Sequence, residues 1–352
     1  MELNAKLLNW YSENQRDLPW RQTQDPYPIW LSEVILQQTR VVQGLPYYEK
    51  FLAAFPTIFD LAEAEEDYVL KLWQGLGYYN RARNMLKTAQ QVVERGGKFP
   101  KNYLGLLELK GIGPYTAAAI ASFAYNEAVP VVDGNVYRVL SRVLGIDDPI
   151  DTTTGKKRFA EASELLLDRS EPGTYNQAIM EFGALHCTPK NPSCLTCPMQ
   201  IDCVALETNR VGELPIKKSK TKQKSLYLNY VILRKGSELL VHRRPETGFW
   251  AGLYDFRLSQ SENRISQKTF AEDILPELIG NLNKVKVHNI SPDYTHVLSH
   301  RKLHIRFWEI EVHEFPDLEE RERIVSIEEL KNLAVPRIVD KHLLTGLFSD
   351  ND

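Results

Sequence analysis

The chain has 352 residues, 43% hydrophobic and 25% charged, which is long enough for two domains that each bury a core. A formal net charge of -3 excludes a globally basic nucleic-acid binder, so any surface for a polyanion must be local. No apolar run reaches bilayer-spanning length and the N-terminal stretch carries no apolar signal core, so we expect a cytoplasmic protein with no membrane partner, nucleoid-associated if bacterial.

In chain order, residues 3–16 pattern as an amphipathic helix with Leu3, Leu7, Leu8 and Tyr11 on one side. The segment Asp17-Leu-Pro-Trp-Arg21 ends it, and Asp25-Pro-Tyr-Pro28 reads as a stiff loop. A helix is expected over Trp30–Arg40, with Leu31, Val34 and Ile35 toward a core. Glu33 falls among them. It either reaches for water or is held where burial raises its pKa. Helices follow at 43–54, 57–63, 66–74 and 79–95. The last two are separated by Gly75-Leu-Gly-Tyr-Tyr-Asn-Arg81, a flexible turn with aromatics suited to wedging into a base stack, or equally a helix start with its tyrosines inward.

The run from Leu106 to Gly145 organises what comes next. Leu106, Leu107 and Leu109 close one helix, and Gly111 and Gly113 are expected to take φ > 0 in a tight hairpin. Pro114 suits the first turn of the next helix, and Ala117, Ala118, Ala119 and Ala121 let that helix pack closely. The amides at its start offer a site for one phosphate, although a lone glycine pair is also what an ordinary helical hairpin uses. Asp133 stands at the N-cap of Val136–Leu144. There the helix amides are expected to keep it ionised, while capping alone would also explain it. A buried neutral glutamate beside an ionised aspartate is the pair that glycosidic cleavage requires: a proton donor for the leaving group and an anion for the sugar cation.

Helices continue at 156–168 and 174–185. All four cysteines then fall in one loop, Cys187-x6-Cys194-x2-Cys197-x5-Cys203, threaded with prolines. Such clustering points to a metal centre rather than a secreted disulfide scaffold, and spacing alone leaves an iron–sulfur cluster and structural zinc both open. Residues 209–225 are polar, with Lys217, Lys218, Lys220, Lys222 and Lys224 unbroken by an acid. This is a solvated linker whose lysines also suit a phosphate backbone. Beyond it the period changes from helical to alternating. A hairpin over Leu226–Arg234 and Glu238–Arg243, turning at Lys235-Gly236, opens an α+β domain. Further strands are expected at 253–258, 284–290, 294–299 and 303–313, with helices at 267–279 and 335–347.

The motifs WLSEVILQQTRV, GLGYYNRARN, LKGIGPYTAAAI and VVDGNVYRVLSR, then the cysteine loop and a C-terminal α+β domain, resemble in that order the helix-hairpin-helix DNA glycosylase superfamily and, within it, the MutY-type adenine DNA glycosylases. The resemblance implies a mostly α N-terminal catalytic region over 1–208 with an iron–sulfur loop at 187–203. It also implies a basic linker over 209–225 and an α+β Nudix-like domain for 8-oxoguanine recognition over 226–350. It implies one [4Fe–4S] cluster on Cys187, Cys194, Cys197 and Cys203, and a hairpin Lys110–Pro114 that grips a DNA phosphate through Gly111 and Gly113. The implied partner of this monomer is double-stranded DNA holding adenine opposite 8-oxoguanine or guanine, and the implied reaction is adenine removal after base flipping.

In that resemblance Glu33 is the acid that donates to adenine N7, and Asp133 stabilises the oxocarbenium ion. Tyr115 and Asn135 position the sugar and the carboxylates. Arg21 and Leu36 line the adenine pocket, while Gln38 and Tyr78, with Thr39 and Leu76 nearby, fill or wedge the gap. The bifunctional relatives similar to endonuclease III carry a Schiff-base lysine where this chain has Tyr115, so a monofunctional enzyme is expected; that residue speaks against an oxidised-pyrimidine lyase. Some members carry, at the position of Tyr137, a lysine that can be trapped on abasic DNA, and such trapping is not expected here. The stretch RRPETGFWAGLYDF resembles a Nudix fold but lacks the glutamates for catalytic Mg²⁺, against a pyrophosphohydrolase. The presence of both carboxylates speaks against a binding protein without catalysis. The family's Phe-Ser-His loop for 8-oxoguanine reads Leu298-Ser299-His300 here, which keeps Ser299 and His300 as the polar contacts.

Overall fold

The computed structural model describes residues 2–218, 223–280, 285–298 and 300–345. The chain forms two compact units, Met1–Glu63 with Asn84–Lys220, and Ala64–Arg83 with Thr221–Asp352. The sequence predicts one unbroken first domain over 1–208. The structure instead counts residues 64–83 with the second unit.

The first unit is helical. Helix Pro26–Leu36 starts earlier and ends earlier than its apolar pattern suggested. Asp25 caps it by accepting from the Tyr27 amide at 2.9 Å, and Pro26 fills the first position, where a missing N–H costs nothing. The expected stiff loop is therefore the first turn. The helix stops at Leu36 because Gln37 turns extended and Gln38 takes φ 58, and Val41–Ala54 begins shortly after. Helix Pro114–Tyr125 buries Ala117, Ala118, Ala119 and Ala121. Helix Gly134–Leu144 turns Val136, Val139, Leu140 and Val143 into a core shared with Leu7, Trp10, Phe159 and Phe182. Its start packs tightly on helix Pro172–Leu185, where a Cβ on Gly183 would come 2.7 Å from the Asn135 Cβ.

The second unit is built on an eight-stranded sheet. Strand β1 (Lys224–Lys235) turns at Gly236 into β2 (Glu238–Arg243), as the alternating pattern predicts. The expected strand at 253–258 is two short ones, β3 (Tyr254–Asp255) and β4 (Arg257–Ser261). β5 (Lys286–Ile290), β6 (Tyr294–Val297) and β7 (Arg301–Glu311) follow, and β7 runs parallel to β1 from Lys224↔Arg301 to Arg234↔Glu311. Strand β8 (Glu322–Ser326), antiparallel to β2, has no counterpart in the sequence-based expectation, because its polarity runs against its burial: the charged Glu322 is buried and the apolar Ile324 is exposed. Both sheet faces are covered. Leu303, Ile305 and Phe307 meet helices Ile327–Asn332 and Arg337–Thr345 on one side, while Trp308 and Ile310 meet Phe270, Leu275 and Ile279 on the other.

Candidate active site and cysteine pocket

Three elements of the helical unit bring the predicted carboxylates together. Glu33, only 6% exposed, hangs from a helix buried on most sides. Tyr115 lies in the first turn after the glycine hairpin, and its hydroxyl donates to Glu33 Oε2 at 2.5 Å, with Met180 Sδ 3.9 Å away. Asp133 caps helix Gly134–Leu144. Its Oδ1 accepts from the amides of Asn135 and Val136, both at 2.8 Å, and its Oδ2 accepts from Asn135 Nδ2 at 2.8 Å. Burial pushes Glu33 up to about 7; the Tyr115 hydrogen bond and the charge of Arg21 oppose this, and the charge of Asp133 adds to it. Tyr115 is lifted well above 10 by burial and then by the same two carboxylates, so all three groups share one field.

Asp133 departs from expectation. Burial raises its pKa even though two amides, the Asn135 side chain and Arg138 favour the anion. The helix N-terminus restrains the shift without reversing it, so both carboxyls move in one direction rather than apart.

Arg21, expected at an adenine pocket, forms a two-pronged pair with Glu181 at 3.0 and 2.9 Å. Glu181 also takes the Arg16 amide and guanidinium. Burial alone would raise Glu181, but these donors pull it down to about 2. The charge of Arg21 still reaches Glu33 and Tyr11. Leu36 is half-buried and packs near Gly44, Thr39 lies against the same glycine, and Gln38 is exposed on the left-handed turn. Gly111 takes φ 77, and a Cβ there would come 2.6 Å from the Asn84 Cβ, so glycine is required. Gly113 differs from expectation. Its φ of -92 is open to any residue, and what glycine leaves there is uncovered space in front of the helix start.

Leu76 and Tyr78 belong to the second unit, where Leu76 is buried and Tyr78 is 55% exposed at φ 50. His300 is exposed, its carbonyl accepting from the Lys224 amide at 3.1 Å, and Leu298 packs against the sheet core. Ser299 lies outside the described residues.

All four cysteines are half-buried and line one pocket with Arg142, Phe182 and His186. Among the described residues no three metal-binding side chains converge on a single point; the thiols surround a space instead. Burial pushes Cys197 up to about 11 and raises Cys203, and the other thiols add to both shifts. Thiols so placed ionise readily only when a cationic centre sits among them. Two further features suit such a group. Arg142 Nη1 lies 3.4 Å from Cys187 Sγ, and His186 Nε2 is buried without a hydrogen-bond partner among the described residues.

Sequence reasoning missed the residues that hold these parts in place. Arg138, 8% exposed, donates to the carbonyls of Cys187 at 2.7 Å and Gly183 at 2.6 Å and to Asn135 Oδ1 at 2.8 Å. Buried Asn176 ties the approach to Asp133, accepting from the Val131 amide and donating to the Val129 carbonyl. An arginine or asparagine inside an apolar helical stripe was the available signal.

Residues 31–165 match the model of the HhH-GPD superfamily base excision DNA repair protein, and residues 229–345 match that of the NUDIX domain. The fold and the two matches together define a base-excision DNA repair protein with a Nudix-like C-terminal domain. An adenine DNA glycosylase of Arabidopsis thaliana is 40% identical over 296 residues, which is 72% of this chain and 47% of that relative, so the chain spans about half its length. An adenine DNA glycosylase of Buchnera aphidicola subsp. Baizongia pistaciae is 36% identical over 303 residues, 85% of this chain and 83% of the relative. The chain belongs to the adenine DNA glycosylase family, whose members hydrolyse N-glycosyl bonds. A solved thermostable thymine-DNA glycosylase is 29% identical, with a TM-score of 0.54 over 58% of this chain and 95% of that one.

Proposed function

We propose that this chain, acting as a monomer, flips adenine mispaired with 8-oxoguanine or guanine out of double-stranded DNA and hydrolyses its N-glycosidic bond. The observation that carries the reading is the 2.5 Å hydrogen bond from Tyr115 to a buried Glu33 whose pKa is about 7, within the field of Asp133. A carboxyl of that pKa is about half protonated at neutral pH, where it serves as a general acid. Glu33 donates its proton toward adenine N7, which makes the base a better leaving group. Asp133, fixed in one rotamer by three N–H donors, opposes the charge that develops on the sugar. Asn135 and Tyr115 hold the two carboxyls at their stations, and Arg21 and Leu36 border the base.

Tyr115 has no amine with which to form a Schiff base, which supports a monofunctional enzyme. The hairpin at Gly111 and Gly113 presents helix-terminal amides to a backbone phosphate. Gln38 and Thr39, with Leu76 and Tyr78, occupy the gap left by the flipped nucleotide. Ser299 and His300 read the opposite base. The thiols of Cys187, Cys194, Cys197 and Cys203 surround a space rather than a point, which supports a polynuclear [4Fe–4S] cluster as their ligand. Cys187, Cys194, Cys197 and Cys203 would hold it as thiolates, and it would then cross-link the loop 187–203. The domains follow as a glycosylase region over 1–208, a basic linker over 209–225 and a recognition domain over 226–350, with residues 64–83 built into the latter.

The test is single-turnover adenine release from duplexes holding adenine opposite 8-oxoguanine or guanine. The native chain is expected to release adenine, whereas Glu33→Gln and Asp133→Asn bind duplex and release none. Full-rate release by either variant would refute the two-carboxyl mechanism. High-yield borohydride trapping on DNA would refute the monofunctional assignment.

A further inference from the structure

The turn Gly75–Tyr79 is stiff, although its two glycines suggest the opposite. Trp73 Nε1 donates to the Gly77 carbonyl at 2.9 Å, Arg81 Nη2 donates to the same carbonyl at 3.3 Å, and the Leu76 amide donates to the Trp73 carbonyl at 3.1 Å. The Arg81 guanidinium lies over the ring of Trp73 at 5.0 Å and that of Tyr78 at 5.7 Å. Gly75 and Gly77 take φ 103 and 74, and Tyr78 itself takes φ 50, so the exposed ring is presented on a backbone with little freedom to relax. A preformed loop of this kind moves only as a body, and its position depends on what grips its base.

That grip comes from the C-terminal part of the same unit. The Val335 amide donates to Gln74 Oε1 at 3.1 Å, and Lys71 Nζ donates to the Leu333 carbonyl at 3.1 Å. Leu333, Ala334 and Val335 are all buried, and the Ala334 carbonyl accepts from the Tyr254 amide at 2.8 Å, which anchors the segment to β3. Tyr254 in turn donates its hydroxyl to Asp67 Oδ2 at 3.0 Å, and Arg243 Nη2 reaches Glu66 Oε1 at 3.1 Å. Helix Glu66–Trp73 is thus held at its first turn by β2 and β3 and at its last turn by residues 333–335. Gln74 is the last residue so held before the turn.

We propose that Gln74, gripped by the backbone of Leu333–Val335, is a positioning residue for the Leu76/Tyr78 wedge, so that a segment near the C-terminus sets how far the wedge enters the duplex. The proposal rests on the wedge role given to Leu76 and Tyr78 above. Loss of the grip leaves the loop intact but lets it rotate about the helix end, and a displacement of about 1 Å is enough to cost tenfold or more in a positioned reaction.

The experiment uses the full chain and a duplex with adenine opposite 8-oxoguanine and 2-aminopurine beside the 8-oxoguanine, whose fluorescence rises when its stacking is broken. Gln74→Ala is expected to lower that rise and to slow single-turnover adenine release about tenfold, with affinity for undamaged duplex unchanged. Gln74→Ala combined with Tyr78→Ala is expected to be no worse than Tyr78→Ala alone, because both act through one wedge. Gln74→Glu keeps an oxygen for the Val335 amide and for Lys71 and is expected to restore both readouts. Additive losses, native fluorescence in Gln74→Ala, or failure of Gln74→Glu to rescue would overturn the proposal. If Gln74→Ala does not fold, Lys71→Met decides on the same readouts. A Tyr78→Ala protein with native fluorescence and native rate would instead overturn the wedge assignment itself.

Discussion

Replacing Glu33 by glutamine should abolish adenine release and, at alkaline pH, stabilise the protein. Burial lifts this carboxyl from 4.5 to about 7, at 1.36 kcal/mol per pKa unit. A group whose folded pKa is raised contributes most below its unfolded pKa, and that contribution is lost as pH rises through the folded value. The buried carboxyl therefore costs nothing below about pH 4 and about 3 kcal/mol above pH 7, with the change falling between 4.5 and 7. Glutamine does not ionise, yet its amide oxygen still accepts from Tyr115 Oη. Asp133 is common to both proteins, so its own titration largely cancels. The stability gained by Glu33→Gln should thus grow by about 2 kcal/mol between pH 5.5 and pH 8, or about 4 to 8 °C in the melting temperature of a domain of this size. Melting curves of the two proteins at the two pH values measure this directly. An equal difference at both pH values would refute the buried, proton-holding Glu33, whatever the variant does to activity.

Three further outcomes follow from the same geometry. Tyr115→Phe removes a hydrogen bond that lowers the Glu33 pKa, so the alkaline limb of the single-turnover pH profile should move to higher pH; a shift to lower pH would contradict the assigned donor. Arg138→Gln strips donors from the carbonyls of Cys187 and Gly183, each costing about 1 to 3 kcal/mol when left buried and unpaired, and should lower both the melting temperature and adenine release. Replacing Lys217, Lys218 and Lys220 by glutamine should reduce the slope of log affinity against log salt by two to three, at about 0.9 per phosphate contact, without altering base preference. Lys220 lies outside the described residues, and the Lys218 amide is tied to Asp151 at 2.8 Å, so an unchanged slope would leave the segment a linker.

What the sequence made legible was whatever depends on local period and local chemistry. The helical and alternating stripes placed most elements, the hairpin at Lys235-Gly236 followed from its turn residue, and the cysteines declared themselves by spacing. The errors share a cause. Asp25-Pro-Tyr-Pro28 resembles a loop in sequence because prolines break helices in their interior, whereas here they occupy a first turn that an aspartate caps. At Gly113 the sequence suggests a need for φ > 0, but its backbone, at φ -92, is open to any residue. Residues 64–83 look like one more helix and turn in a helical series, and nothing local reveals that Asp67 and Gln74 take their partners from Tyr254 and Val335. Glu181, Arg138 and Asn176 stand out in the sequence only as polar residues within apolar helices, and the role of each depends on a partner dozens of residues away.

The helix Gly134–Leu144 connects the cysteine loop to the proposed catalytic carboxyl. One stripe of it is apolar and packs into the core, while Arg138 and Arg142, one turn apart, leave that stripe and bind the loop. Arg138 also donates to Asn135, to the Gly134 carbonyl and to the carbonyl of Gly183, where an added Cβ would come 2.7 Å from the Asn135 Cβ. Asn135 then donates to Asp133, so the carboxyl proposed to face the sugar is oriented by a chain of bonds whose far end is the Cys187 carbonyl. Both carboxyls sit where burial raises their pKa, and an aspartate under that pressure keeps its charge only if its donors stay in register. Were the proposed cluster held by the four thiols, the cross-linked loop would keep that register better than a free one. On the proposed mechanism the loop's contribution to adenine release acts through the placement of Asn135, and a variant that loosens the loop should lower the rate with Glu33 and Tyr115 untouched.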